Sequence, residues 1–143
     1  MTLWILDTDH ISLLQRGHPV VEQRIRRINL NDIALTIVSV EEQLYGRLNN
    51  IRRAKFPEAL KTSYKALYET LEDFKATNVL EFNPTAIDLY QEMVRQKIRV
   101  GTQDLRIAAI ALSVNGILVT RNQRDFAKVP NLVLEDWSTI IPS

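Results

Sequence analysis

The stretch that most limits what this chain can become lies at its start. Leu3-Trp4-Ile5-Leu6 is a run of four large apolar residues that stops abruptly at Asp7-Thr8-Asp9. A short apolar run closed by polar residues is the pattern of a strand buried on both faces, as in the middle of a parallel sheet. In open α/β sheets, ligands bind beyond the carboxyl ends of such strands. Asp7 is therefore expected on the edge where chemistry is done. A carboxylate directly behind four large apolar residues is hard to explain as solvated decoration. Which other acids reach that edge decides the function.

The 143 residues, 45% hydrophobic and 24% charged, suffice for one buried core, and a single domain over 1–143 is expected. A net charge of +1 means that any nucleic-acid-binding surface must be local. The absence of cysteine removes disulfides, thiol nucleophiles and thiolate metal sites, and fits a cytoplasmic chain. No apolar stretch approaches the roughly 18 residues needed to span a bilayer, and the N-terminus lacks the positive region of a signal peptide. A soluble protein without membrane association is expected.

Hydrophobic periodicity then divides the chain. Asp9 is read as the cap of a short helix to about Gln15, closed by Gly17 in the left-handed conformation. Pro19 opens a second helix with an apolar stripe at Val20, Val21, Ile25 and Ile28. A strand at Ile33 to Ile37 follows, and Ser39 with Glu42 makes a capping-box pattern before a helix carrying Leu44, Leu48 and Ile51. Pro57 begins a long helix to about Phe74 with Leu60, Tyr64, Leu67, Tyr68 and Leu71 on one face, so an antiparallel helical hairpin is expected at about 41–74. A third strand at Val79 to Phe82 leads to Asn83-Pro84, a cap and first-turn proline. Leu105 to Val114 is apolar on nearly every side, the mark of a buried helix, with Thr102 as its candidate cap and Gly116 at its end. A fourth strand at Ile117 to Thr120, a loop or short helix at Arg121 to Phe126, and an edge strand at Leu132 to Leu134 complete the order. Strands alternating with helices imply right-handed βαβ units on a parallel sheet.

Four acids fall at the expected carboxyl edge: Asp7, Glu42, Asp104 and Asp125. Carboxylates brought together repel one another and take up protons unless a cation neutralises them. Oxygen ligands of this kind suit Mg²⁺ or Mn²⁺. Each acid also has a plainer role available: Glu42 in the capping box, Asp104 against the helix dipole, Asp9 as a cap and Asp125 on a polar surface loop. His10 and His18 are not spaced for zinc, and His10 is read as a helix-surface residue. The four glycines at 17, 46, 101 and 116 form no phosphate-binding loop, dinucleotide fingerprint or nucleophile elbow. Arg47, Arg52 and Arg53, followed by Lys55, Lys61 and Lys65, form a basic stretch that is either a solvated helix face or a phosphate-binding patch. Arg121 and Arg124 flank the acidic edge. An acidic centre with a basic rim suits a polyanion cut at a metal.

The segments Leu6-Asp7-Thr8-Asp9, Ser39 to Gly46, Asp104 to Ala109, Val119 to Asn122 with Asp125-Phe126, and Leu134 to Trp137 together resemble the PIN-domain ribonucleases, in particular the VapC toxins of type II toxin–antitoxin pairs. The resemblance covers nearly the whole chain in the right order. It implies a three-layer α/β/α sandwich on a central, mainly parallel sheet, and a Mg²⁺- or Mn²⁺-dependent endoribonuclease acting on tRNA or another structured RNA. Asp7, Glu42 and Asp104 match the shared acids; the fourth position falls to Asn122 or Asp125, and Asp9 stands where Asn is frequent. The resemblance further implies 5′-phosphate and 3′-hydroxyl products, support from Thr8 or Thr120, a VapB-like antitoxin and a homodimer. The helical hairpin is the candidate antitoxin surface. Two alternatives stay open: a haloacid-dehalogenase-like phosphatase using Asp7 and Asp9, and a catalytically weak PIN-like module that binds RNA or antitoxin.

Overall fold

The computed structural model describes residues 2–139; residue 1 and residues 140–143 of the expected domain lie outside the described residues. Five strands form one sheet in the order β3-β2-β1-β4-β5, every pairing parallel. They are β1 Trp4–Leu6, β2 Ile33–Thr36, β3 Asn78–Leu80, β4 Ile117–Val119 and β5 Val133–Glu135. The helices are α1 Thr8–Gln15, α2 Pro19–Arg26, α3 Ile37–Arg53, α4 Pro57–Lys75, α5 Pro84–Arg95, α6 Thr102–Ser113 and α7 Gln123–Phe126.

Strand alternation divides the core in two. Ile5, Ala34 and Leu118 pack with Val38 of α3, Met93 of α5 and the buried side of α6. Leu6, Ile33, Leu35 and Val119 face the other way, onto Ile11, Trp137 and Phe74. With side chains pointing to opposite faces at successive positions, the sheet is covered on both sides. The result is the expected α/β/α sandwich. The buried residues of α6 run Leu105, then Ile107 to Ala111 without a break, as its all-round apolar sequence demands.

Several local expectations need correction. Asp7, not Asp9, caps α1, because Asp7 N still donates to Val119 O at 3.1 Å and keeps the residue extended at the end of β1. Ser39 caps nothing: α3 begins at Ile37, and Thr36 Oγ1 accepts from Ser39 N at 3.1 Å. Gly101 rather than Thr102 precedes α6, with no side-chain cap. β3 stops at Leu80, where its register against Thr36 ends. Asn115, at φ 52°, takes the left-handed position after α6. Gly116 is needed for a different reason: a Cβ there would lie 2.7 Å from Ile5 Cδ1 and 3.2 Å from Leu3 O. His10 is fully buried, not a surface residue.

The hairpin α3–α4 forms as expected, joined by residues 54–56. Its apolar stripe does not go inward. Of the stripe only Leu67 is half-buried, beside Ala59, Ser63, Ala66, Thr70 and Phe74 on the more covered side of α4, while Leu60, Tyr64, Tyr68 and Leu71 are exposed. No helix of the described residues is long and apolar enough to cross a membrane.

Candidate active site

The strand order reverses direction at β1: the chain first builds outward through β2 and β3, then crosses to β4 on the other side. That crossing opens a crevice beyond the carboxyl ends of the adjacent parallel strands β1 and β4. A cleft of about 420 Å³ lies there, lined by Asp7, Thr8, Asp9, Glu42, Asp104, Arg121 and Asn122 over an apolar floor of Ile107 and Phe126. Asp7 arrives from the end of β1, Glu42 from α3 after β2, Asp104 from the first turn of α6, and Asn122 from the loop after β4. Four chain segments far apart in sequence thus deliver their polar residues to one place.

The carboxylates are held individually. Asp7 is 7% exposed, and its Oδ1 accepts from His10 N at 2.8 Å and lies 3.2 Å from His10 Nδ1. Glu42 Oε1 accepts from Thr8 Oγ1 at 2.9 Å, and Ser39 Oγ stands 3.1 Å from the same hydroxyl. Burial, followed by the charges of Asp104, Glu41 and Asp7, raises the Glu42 carboxyl above its ordinary value, against the lowering effect of the Thr8 bond. Asp104 is raised first by burial and then by the charges of Asp7 and Asp125. This is the electrostatic signature of carboxylates crowded without a counter-charge.

Asp125 does not line the cleft but adds its field to Asp104. Its carboxyl is held below the ordinary range, chiefly by Asn122 Nδ2, which donates to Oδ2 at 3.1 Å, with Lys128 and Arg124 adding to the effect. Asn122 thus lines the cleft, and Asp125 stands behind it. Thr120 is fully buried and accepts from Asn122 N at 2.9 Å, so it shapes the loop rather than facing a ligand. Thr8 orients Glu42. Arg121 makes a two-pronged pair with Asp9, at 2.6 Å and 3.0 Å, on the rim. Among the described residues, no three acidic or histidine side chains are drawn into a closed cluster. The acids surround an opening instead, and their hard oxygen donors fit Mg²⁺ or Mn²⁺ in a site that keeps room for waters and a phosphate.

The basic residues fare differently. Arg47 is drawn into the helix interface, where Nε donates to Thr70 Oγ1 at 2.9 Å and Nη2 to Gln15 Oε1 at 3.4 Å. Arg52 and Arg53 are exposed in the last turn of α3, roughly 15 Å along the helix from Glu42 at 1.5 Å per residue. Arg124 is exposed on α7. Sequence reasoning missed His10, Ser39 and the pairing of Asp9 with Arg121. A local hint existed only in the close spacing of Asp7 with His10 and of Thr36 with Ser39, since Asp9 meets Arg121 across 112 positions and His10 meets Trp137 across 127.

An α/β/α sandwich with a carboxylate-lined cleft at its topological switch point defines a class, and comparison with known proteins gives the family. The model of the PIN domain matches residues 5–132, and this chain belongs to the PIN-domain family. Ribonuclease VapC2 of Rickettsia felis is 30% identical over 141 residues, covering 94% of this chain and 98% of the relative. The tRNA(fMet)-specific endonuclease VapC of Shigella flexneri is 26% identical over 142 residues, covering 96% of this chain and 100% of that one. Among solved structures, VapBC-1 from nontypeable Haemophilus influenzae matches with a TM-score of 0.75 at 25% identity, over 96% of this chain and 100% of that chain. These matches lend no support to the phosphatase reading.

Proposed function

We propose that this chain is a VapC-type toxin, an endoribonuclease that hydrolyses phosphodiester bonds in RNA with Mg²⁺ or Mn²⁺ and acts as one PIN-like domain in the cytoplasm. The observation that carries this is the meeting of Asp7, Glu42 and Asp104 in one cleft, with Glu42 and Asp104 both raised by burial and then by neighbouring carboxylates. The ribonuclease relatives support the substrate class. Asp7 and Asp104 are the principal candidate cation ligands, with Glu42 and Asp125 completing the set directly or through water. A bound divalent cation supplies Lewis acidity: it lowers the pKa of an attacking water and offsets the charge that builds on the phosphate.

The chain's own residues do the rest. Thr8 holds Glu42 in one rotamer, so its other oxygen keeps a fixed direction toward the cleft. Arg121, anchored by Asp9, presents a guanidinium at the rim where a phosphate backbone enters. Arg124, and more remotely Arg52 and Arg53, extend that positive rim, whereas Arg47 serves the fold. Tyr45 and Leu48 of α3 and Leu60, Tyr64 and Tyr68 of α4 are exposed on the hairpin, the candidate surface for a VapB-like antitoxin. The likeness to the VapBC-1 structure from nontypeable Haemophilus influenzae supports that partner class. A homodimer completes the proposed assembly.

Incubation of the purified protein with total tRNA in Mg²⁺, Mn²⁺ or EDTA, beside the Asp7→Asn variant, tests the reading. Cleavage by the wild type with metal, and none with EDTA or in the variant, is expected. RNA that stays intact yet bound, equally with wild type and variant, identifies a binding module instead.

A further inference from the structure

His10 is fully buried at the back of the cleft and has no part in the carboxylate set. Its ring lies between two chain segments. On one side Nδ1 is 3.2 Å from Asp7 Oδ1. On the other, Nε2 is 3.2 Å from Trp137 N, a backbone amide that can only donate. Nε2 must therefore be the nitrogen with the lone pair, which leaves the proton on Nδ1, directed at Asp7. Asp136 Oδ1, 3.5 Å from Nε2, is already taken up by Ser138 N at 2.8 Å and Ser138 Oγ at 2.6 Å. Trp137 is itself immobilised, with no exposed surface, its Nε1 donating to Glu135 Oε1 at 2.9 Å and its ring centroid 6.4 Å from that of Trp4.

We propose that His10 is a positioning residue, which uses its Nδ1–H bond to lock Asp7 and ties that carboxylate to the Glu135–Ser138 segment at the far end of the chain. Both bonds that Asp7 accepts, from His10 N and from the ring, fall on Oδ1. Oδ2 has no protein partner among the described residues, so the outward oxygen is presented with its direction already fixed. A ligand carboxylate held this way loses little freedom when it binds a cation, and partners of this kind are worth roughly 10- to 100-fold in affinity or activity when removed. The inference rests on the reading of Asp7 as a cation ligand.

Nitrogen-15 NMR of the imidazole in the metal-free wild type tests the geometry without any variant. The Nδ1–H tautomer is expected; the Nε2–H tautomer overturns the proposal. Two substitutions separate positioning from support of the fold. His10→Asn places an amide N–H where Nδ1 was and gives up the Trp137 link, whereas His10→Gln reaches Trp137 and gives up the Asp7 bond. Mn²⁺ affinity, read by paramagnetic resonance, is expected within about threefold of wild type in His10→Asn and down by roughly tenfold or more in His10→Gln. The fall in kcat for RNA cleavage should follow the same order, with KM for RNA unchanged. Equal losses in both variants, tracking melting temperature alone, make His10 a structural residue and overturn the proposal. Failure of the wild type itself to bind Mn²⁺ or cut RNA would instead sink the functional reading, not the His10–Asp7 geometry seen by NMR.

Discussion

The cleft and the α3–α4 hairpin break the usual rule of burial in opposite directions. The cleft half-buries Glu42 and Asp104 beside a nearly covered Asp7, and the cation in its lining, Arg121, is paired with Asp9 instead. The hairpin leaves Tyr45 at 71% and Tyr68 at 66% exposure while the covered side of α4 is mostly small residues, Ala59, Ser63, Ala66 and Thr70. Buried charge calls for a counter-ion, and exposed aromatic surface calls for a protein partner. The two regions also differ in how they are held. The cleft is fixed by β1, β4 and the buried α6, whereas the hairpin is pinned chiefly by helix pairing and the Arg47 bonds to Thr70 and Gln15. The proposed chemistry belongs to the cleft and the proposed recognition to the exposed face of the hairpin, whose α3 also delivers Glu42 to the cleft.

The largest expected effect breaks the cleft. Asp104→Asn should lower RNA cleavage by at least on the order of 10²-fold, the scale for losing one preorganised electrostatic contact to the reacting group. The same change should raise the melting temperature of the metal-free protein at pH 7, because it removes a carboxylate that burial and Asp7 disfavour. A loss of activity accompanied by a loss of stability would mean that Asp104 serves the fold.

The stabilisation should also depend on pH in a defined direction. Asp104 and Glu42 are raised in the folded state, so the fold binds their protons more tightly than the unfolded chain does. Their penalty is fully present above the raised values and is lifted as pH falls through them. Melts of metal-free wild type and Asp104→Asn should therefore converge as pH falls from neutral through the carboxylate range. A gap that stays constant across that range contradicts the assigned charge repulsion.

The hairpin is probed by Tyr64→Ser combined with Tyr68→Ser. Stability should change by no more than about 0.5 kcal/mol per site, as for ordinary exposed positions, and RNA cleavage should be unaltered. Co-purification with a co-expressed antitoxin should fall, and retention of the complex would move the partner surface elsewhere. A smaller effect sharpens the boundary between the regions. Arg47→Ala should cost about 1 kcal/mol in denaturant unfolding through its hydrogen bonds, with RNA affinity unchanged, whereas Arg52→Ala with Arg53→Ala should do the reverse.

Much of this was legible in the residues, for physical reasons that differ by element. β1 and α6 are apolar on every side, and only the interior of a layered sheet accommodates that, so both were readable along with the parallel topology. Asp7 and Asp104 were readable because each directly follows or opens such an element, and Glu42 because it lies early in the helix that follows β2. The cap of α1 was misplaced by two residues, since local propensity cannot tell which of two aspartates a ladder bond from Val119 will hold extended. The stripe on α4 was readable as an apolar face, but amphipathic spacing does not say how much of it the chain itself covers: Leu67 is half-buried, whereas Leu60, Tyr64, Tyr68 and Leu71 are exposed. His10 was beyond reach, as its second partner, Trp137, lies 127 positions away. Asn122 and Asp125 were left open, and only the turn of α7 shows one at the cleft and the other behind it.

Calorimetric titration of Mn²⁺ into the metal-free protein at mildly acidic pH, with wild type beside Asp7→Asn, tests the central claim most directly. Saturable binding to the wild type with release of protons is expected, because raised carboxyls must ionise to ligate, and the variant should bind far more weakly. Absence of saturable binding to the wild type, or equal binding by the variant, would contradict the assignment of this cleft as a cation site.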